Sequence, residues 1–85
     1  MIIIEDTMIN GKQSRISVTN VETTAEAINA IQALAILAVG EIACQPLKVM
    51  QSYKVIITEK CARISYPNGD TLKYYINQKE DKNVR

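Results

Sequence analysis

Residues 23–45 read TTAEAINAIQALAILAVGEIACQ, and the way this stretch disposes of its apolar residues decides the fold. Thr23 stands three residues before Glu26. At that spacing the threonine hydroxyl accepts from the Glu26 amide while the carboxylate reaches back to the Thr23 amide. Pro46 marks the far end, because the residue before a proline is pushed out of the helical region. At about 100° per residue, Ile28, Ile31, Ala35, Val39 and Ile42 fall in one stripe, which is predicted to cover a sheet. Ala27, Ala30, Ala33, Leu34, Leu37 and Cys44 form a second stripe well round the other side, and Glu41 is the one charge between Ala33 and Cys44.

A helix apolar on two faces must bury both, and a chain of 85 residues has one sheet to offer it. The helix is either sandwiched within one protomer or packed by its alanine-rich stripe on another copy, since small side chains let helices approach closely. The second alternative is preferred, and it predicts a homo-oligomer. A membrane span is rejected here: the unbroken apolar run is far below the roughly 20 residues a bilayer needs, and Asn29, Gln32 and Glu41 interrupt its flanks.

Outward from the helix, the N-terminal side reads MIIIEDTMI and KQSRISVTN around Asn10–Gly11, a strong hairpin signal because both turn positions need positive φ. A two-residue loop sets Ile3 opposite Val18, Glu5 opposite Ile16 and Asp6 opposite Arg15. On the C-terminal side, Pro46–Gln51 suits a short second helical piece. YKVIITE (53–59), CARISY (61–66) and TLKYYI (71–76) then read as three antiparallel strands. The sequence Tyr66-Pro67-Asn68-Gly69-Asp70 suits a type I turn closed by a glycine bulge, and pairs Ile64 with Leu72 and Ala62 with Tyr74. A tight Glu59–Lys60 turn sets Val55 against Ile64, Ile57 against Ala62 and Tyr53 against Tyr66, all on the core face. The expected fold is therefore α+β in a single domain over residues 1–85: an N-terminal hairpin, one long helix and a C-terminal three-stranded antiparallel sheet. Residues 78–85 are expected to form a charged, flexible tail.

The opposite face of the three strands carries the candidate chemistry. Its rows are Ile56–Arg63–Lys73, Thr58–Cys61–Tyr75 and Lys54–Ser65–Thr71. Arg63 directly opposite Lys73 is a like-charge pair, unfavourable by up to about 1 kcal/mol unless an anion lies over it. A phosphate bracketed by the Ser65 and Thr71 hydroxyls would answer that repulsion, with arginine as the fork and lysine as the point charge. Tyr75 and Ile56 beside them are suited to meet a ring. The bland alternative lets the cations splay into solvent and packs Tyr75 on a neighbouring subunit.

Composition narrows the chemistry further. The net charge of +1 conceals five acids and two bases in residues 1–44, against four acids and eight bases in 45–85. A positive second half suits an anionic partner, but the excess is too small for non-specific duplex binding, and a nucleic-acid polymer is not the expected partner. The chain has no histidine, hence no histidine-based dyad or triad, and no Walker loop or nucleophile elbow. Cys44 and Cys61 lack metal-ligand spacing and are expected as free thiols of a reducing cytoplasm. Neither a catalytic residue nor a metal ligand nor a cofactor is assigned.

With the strings SRISVTNVETTAEAINAIQ (14–32) and SYPNGDTLKYYI (65–76), the chain resembles the phage Thoeris anti-defence sponge family. Those small proteins sequester cyclic ADP-ribose isomers made by bacterial TIR-domain enzymes and perform no chemistry; some also hold cyclic oligonucleotides at a separate site in a hexamer. The resemblance implies arginines against phosphates, an asparagine at a base edge and a stacked aromatic. The matching positions are Arg15, Asn68 and Arg85, with Tyr66 or Tyr75 as the aromatic; the residues themselves point separately to Arg63 and Lys73. As plain readings, Arg15 is a cross-strand ion pair and Asn68 a turn former. The expected function is binding and withholding a cyclic nucleotide messenger in the cytoplasm of an infected bacterial host. The alternative is a phage-encoded inhibitor that docks on a host protein through its basic sheet face.

Overall fold

Ile2, Ile3 and Ile4 begin the chain as an unbroken apolar run, and the strand they open is buried on both sides there. In the computed structural model, which describes residues 1–77, β1 (Ile2–Ile9) turns Ile3 to one face at 0% exposure and Ile4 to the other at 8%. A strand dry on both faces belongs in the interior of a sheet. One neighbour is β2 (Lys12–Asn20), reached through Asn10 and Gly11 at φ 53° and 80°, the two left-handed residues a two-residue hairpin loop needs. The other neighbour is β5 (Thr71–Asn77), which joins the hairpin to β4 (Cys61–Ser65) and β3 (Lys54–Ile57). The result is one five-stranded antiparallel sheet in the order β2-β1-β5-β4-β3. The hairpin and the three C-terminal strands are continuous, joined by the pairing of β1 with β5.

The registers within each unit are those the turns imply. Asp6 faces Arg15 and Glu5 faces Ile16, but a bulge between Ile3 and Ile4 sets Ile3 opposite Thr19 rather than Val18. In the C-terminal strands, Ile64 pairs with Leu72 and Val55, and Ala62 with Tyr74 and Ile57. The Tyr66 amide donates to Asp70 O (2.9 Å) and Gly69, at φ 94°, donates to Tyr66 O (3.0 Å), closing the bulged turn. The Thr58 amide donates to Cys61 O at 2.8 Å, so the Glu59–Lys60 turn is tight without positive φ.

The helix α1 (Thr24–Ala43) begins with the reciprocal bonds of its capping box, Glu26 N to Thr23 Oγ1 at 3.1 Å and Thr23 N to Glu26 Oε1 at 3.3 Å. It leaves one edge strand, β2, and returns the chain through the short α2 (Leu47–Met50) to the opposite edge strand, β3. Crossing four inter-strand spacings requires about 19 Å, and 20 residues of helix provide about 30 Å, so the helix is long enough to span the sheet. Ala27, Ile31, Ala35 and Ile42 are its buried residues. Ile3, Ala62 and Tyr74 meet the first three of these in the core, with Ala30 and Leu34 packed at its margin.

The buried line is thus rotated from the expected one. Ile28 and Val39 are half-buried, while Ala27, assigned to the second stripe, is fully buried. Of that second stripe Ala33, Leu37 and Cys44 remain exposed, and Ile36 beside them is 69% exposed. The rejection of a membrane span on length and composition is not upheld. This helix is long and apolar enough to cross one, with a mean hydropathy of 1.5 over 18 residues, only 22% of them buried. What it has instead of lipid on one side is the sheet.

Tyr74 links the core to its surroundings: its hydroxyl donates to Glu5 Oε2 at 2.7 Å from a ring that is 8% exposed. Burial first, and then that hydrogen bond, hold the phenol protonated well above its usual value near 10. The unfolded chain releases this proton near pH 10, so the stability held at lower pH is lost as pH rises beyond that point. We expect Tyr74→Phe to cost about 1–2 kcal/mol at neutral pH. Urea denaturation at neutral and alkaline pH checks both, and the alkaline loss should be smaller in the variant.

Candidate anion-binding site

The face of the sheet turned away from the helix is set by strand alternation. The joining of β1 to β5 extends its central row, which reads Arg15, Asp6, Lys73, Arg63, Ile56 across all five strands. The row on one side is Gln13, Met8, Thr71, Ser65, Lys54, and that on the other is Ser17, Ile4, Tyr75, Cys61. The three rows carry four cations and one carboxylate.

The expected hairpin register set that carboxylate opposite Arg15 but did not bring it beside Lys73. Asp6 lies opposite Lys73 on one side and Arg15 on the other. It accepts from Arg15 Nε at 3.2 Å and from Gln13 Nε2 at 3.1 and 3.3 Å. Arg15 therefore stands in the cross-strand ion pair, with its side chain 62% exposed. Lys73 is flanked by Asp6 as well as Arg63, so the like-charge pair is partly answered inside the protein. Arg63, between Lys73 and the apolar Ile56, has no acid on either side in its row. The unbroken Ile2–Ile4 run was the available signal, because a strand apolar on both faces needs a second partner strand.

A groove of about 220 Å³ opens along these rows, lined by Asp6, Met8, Gln13, Arg63, Thr71 and Lys73. Its polar groups are two cations, a hydroxyl and an amide beside one carboxylate already engaged by Arg15 and Gln13. Ser65 is not among the lining residues. Next to the groove, Lys73 Nζ stands 5.1 Å from the centroid of the Tyr75 ring, a cation–π contact that holds the ammonium over the sheet. Tyr75 itself is half-buried.

The other expected ligand residues do not join this site. Tyr66 projects from the helix-side face, where its ring meets Tyr53 edge-on at 5.3 Å. Burial raises its pKa, with Tyr53, Glu41, Asp70 and Glu5 adding to the effect. It lines a second cleft of about 290 Å³ with Glu5, Thr7, Ile9, Asp70, Thr71 and Leu72. The only charges there are carboxylates, the wrong sign for a phosphate. Asn68 is engaged in its own turn, donating to Asp70 Oδ2 at 3.1 Å and accepting from the Asp70 amide at 3.0 Å. Arg85 and the expected tail lie outside the described residues. Cys44 and Cys61 are free thiols, and no group of three His, Cys, Asp or Glu gathers as a metal site among the described residues.

Fold and site together define a two-layer α+β protein with one helical layer and an open, predominantly cationic sheet face. No protein-family model, curated protein or solved structure matches this chain.

The charge order along the row has consequences for stability. Arg63→Met removes only repulsion and should leave stability unchanged or raise it by a few tenths of a kcal/mol. Lys73→Met removes repulsion and attraction together and should be close to neutral. Asp6→Asn leaves its two neighbouring cations, Arg15 and Lys73, uncompensated and should cost about 0.5 kcal/mol. Urea midpoints of the three variants test this order, and a stabilising Asp6→Asn would contradict it.

Proposed function

We propose that the protein binds a phosphate-bearing cyclic nucleotide messenger on the open sheet face and withholds it without cleaving it. The observation that carries this reading is the groove lined by Lys73 and Arg63, which stand opposite each other on adjacent strands, together with Thr71. An arginine fork and a lysine point charge on adjacent strands suit the oxygens of a phosphate, and the half-buried Tyr75 offers a ring edge nearby. The chain's lack of histidine favours holding over turnover. The resemblance to the phage anti-defence sponges supplies the ligand class, cyclic ADP-ribose isomers, and the setting, the cytoplasm of an infected bacterium. An open groove of about 220 Å³ is below the roughly 300 Å³ at which small-molecule sites begin. A sequestering protein must cover more of its ligand than that, which favours a homo-oligomer.

The second reading, an inhibitor that docks on a host protein through the same face, draws on Ile56, 61% exposed at the end of the cationic row. Calorimetry with cyclic ADP-ribose isomers separates the two. We expect binding by the native chain and a loss of about 10- to 100-fold in Arg63→Met and Lys73→Met, as for a charged hydrogen bond. Arg85→Ala should weaken binding without changing stability. Ligand recovered from the denatured complex should be intact. Native affinity in both Arg63→Met and Lys73→Met would remove the messenger from this groove, and hydrolysed product would make the protein an enzyme.

A further inference from the structure

We infer that the cleft on the helix side of the sheet, between Glu5 and Asp70, is a binding site for an aliphatic polyamine. Each carboxylate takes one ammonium, and the methylene chain lies between them. This site is on the opposite face from the anion groove and does not rest on the messenger reading.

Strand alternation builds the cleft. Glu5, Thr7 and Ile9 share the helix side of β1 with Ile3, and the pairs Glu5–Tyr74 and Thr7–Leu72 carry that side into β5. The helix packs on the Ile3, Ala62 and Tyr74 end of this face. Beyond it lies an open space of about 290 Å³, whose walls include Glu5, Thr7, Ile9, Tyr66, Asp70 and Leu72. That is close to the roughly 300 Å³ at which small-molecule sites begin. Glu5 and Ile9 are four residues apart, hence about 13 Å along the strand. Asp70 stands at the Ile9 end, where its Oδ1 accepts from the Asn10 amide at 3.1 Å. The cleft is a trough with an acid at each end and Leu72 and Thr7 between.

Charge selects the occupant. Glu5 accepts from the Tyr74 hydroxyl at 2.7 Å, and Asp70 from the Asn10 amide and the Asn68 side chain, both at 3.1 Å. All of these donors are neutral. Among the described residues no cation pairs with either acid, although Lys12 stands opposite Ile9. The Tyr66 phenol is held protonated beyond its usual range, by burial first and then by Tyr53, Glu41, Asp70 and Glu5, as a negative cleft requires. Its ring lies beside Asp70, whose carbonyl accepts from the Tyr66 amide at 2.9 Å, and offers an ammonium there an aromatic wall. Acids at opposite ends of a trough are too far apart to ligate one metal ion, and a single ammonium would meet only one of them. A chain with an ammonium at each end and methylenes between meets every part.

Calorimetry with spermidine at low salt tests this on the full chain, whose net charge of +1 gives a polycation no general attraction. The native protein should bind spermidine about fivefold more tightly than putrescine, which is too short for both acids, or octylamine, which carries a single ammonium. Glu5→Gln and Asp70→Asn should each weaken spermidine about fivefold. Ile9→Lys keeps both acids and spares the core, since Ile9 is 52% exposed, and its new ammonium should compete for Asp70 at a similar loss. Glu59→Gln removes an exposed acid of the β3–β4 turn and should leave binding unchanged. Absence of spermidine binding, octylamine bound as tightly as spermidine, native affinity in Ile9→Lys, or an equal loss in Glu59→Gln would each overturn the proposal.

Discussion

The pairing of β1 with β5 is the contact on which the rest of this molecule depends. Without it the N-terminal hairpin is two strands with no sheet beneath the helix, and the C-terminal strands end at an unprotected β5 edge. With it, Ile3 becomes fully buried against Ala27, Ile31 and Tyr74, and Glu5 comes within 2.7 Å of the Tyr74 hydroxyl. The same pairing makes β2 and β3 the two edges and thereby obliges the helix to cross the whole sheet.

That crossing sets the character of the helix. Where it meets the sheet it buries the alanines Ala27 and Ala35 with the larger Ile31, in one core with Ile3, Ala62 and Tyr74. Small residues on the sheet side leave the apolar bulk elsewhere on the cylinder. Ile36 and Leu37 are not covered by any strand, because a single sheet touches one side of a helix only. The polar sheet face and the apolar helix back therefore lie on opposite sides of a two-layer molecule.

On the sheet face, charge is ordered rather than merely accumulated. Asp6 divides the cations of its row, holding Arg15 directly and facing Lys73, while Arg63 is left without an acid beside it. A sheet face with four cations and no acid would repel itself. One carboxylate limits that cost and leaves the excess positive charge at Lys73 and Arg63, which line the groove with it.

Local structure was legible in the residues. The Thr23–Glu26 cap, the Asn10–Gly11 hairpin, the bulged turn at Gly69 and the registers of β3, β4 and β5 all follow from short-range chemistry, in which one residue's backbone preference or hydrogen bond acts on neighbours a few positions away. From those registers the alternation rule placed Arg63, Lys73 and Tyr75 on one face correctly. The tertiary structure decided what meets at long range: that β1 lies against β5, that Asp6 stands beside Lys73, and that the helix rotates to bury Ala27. Turn and cap signals say nothing about which strand edges will find each other. That choice depends on burying Ile3 and Ile4 on two faces at once, a condition met only when the whole sheet is assembled.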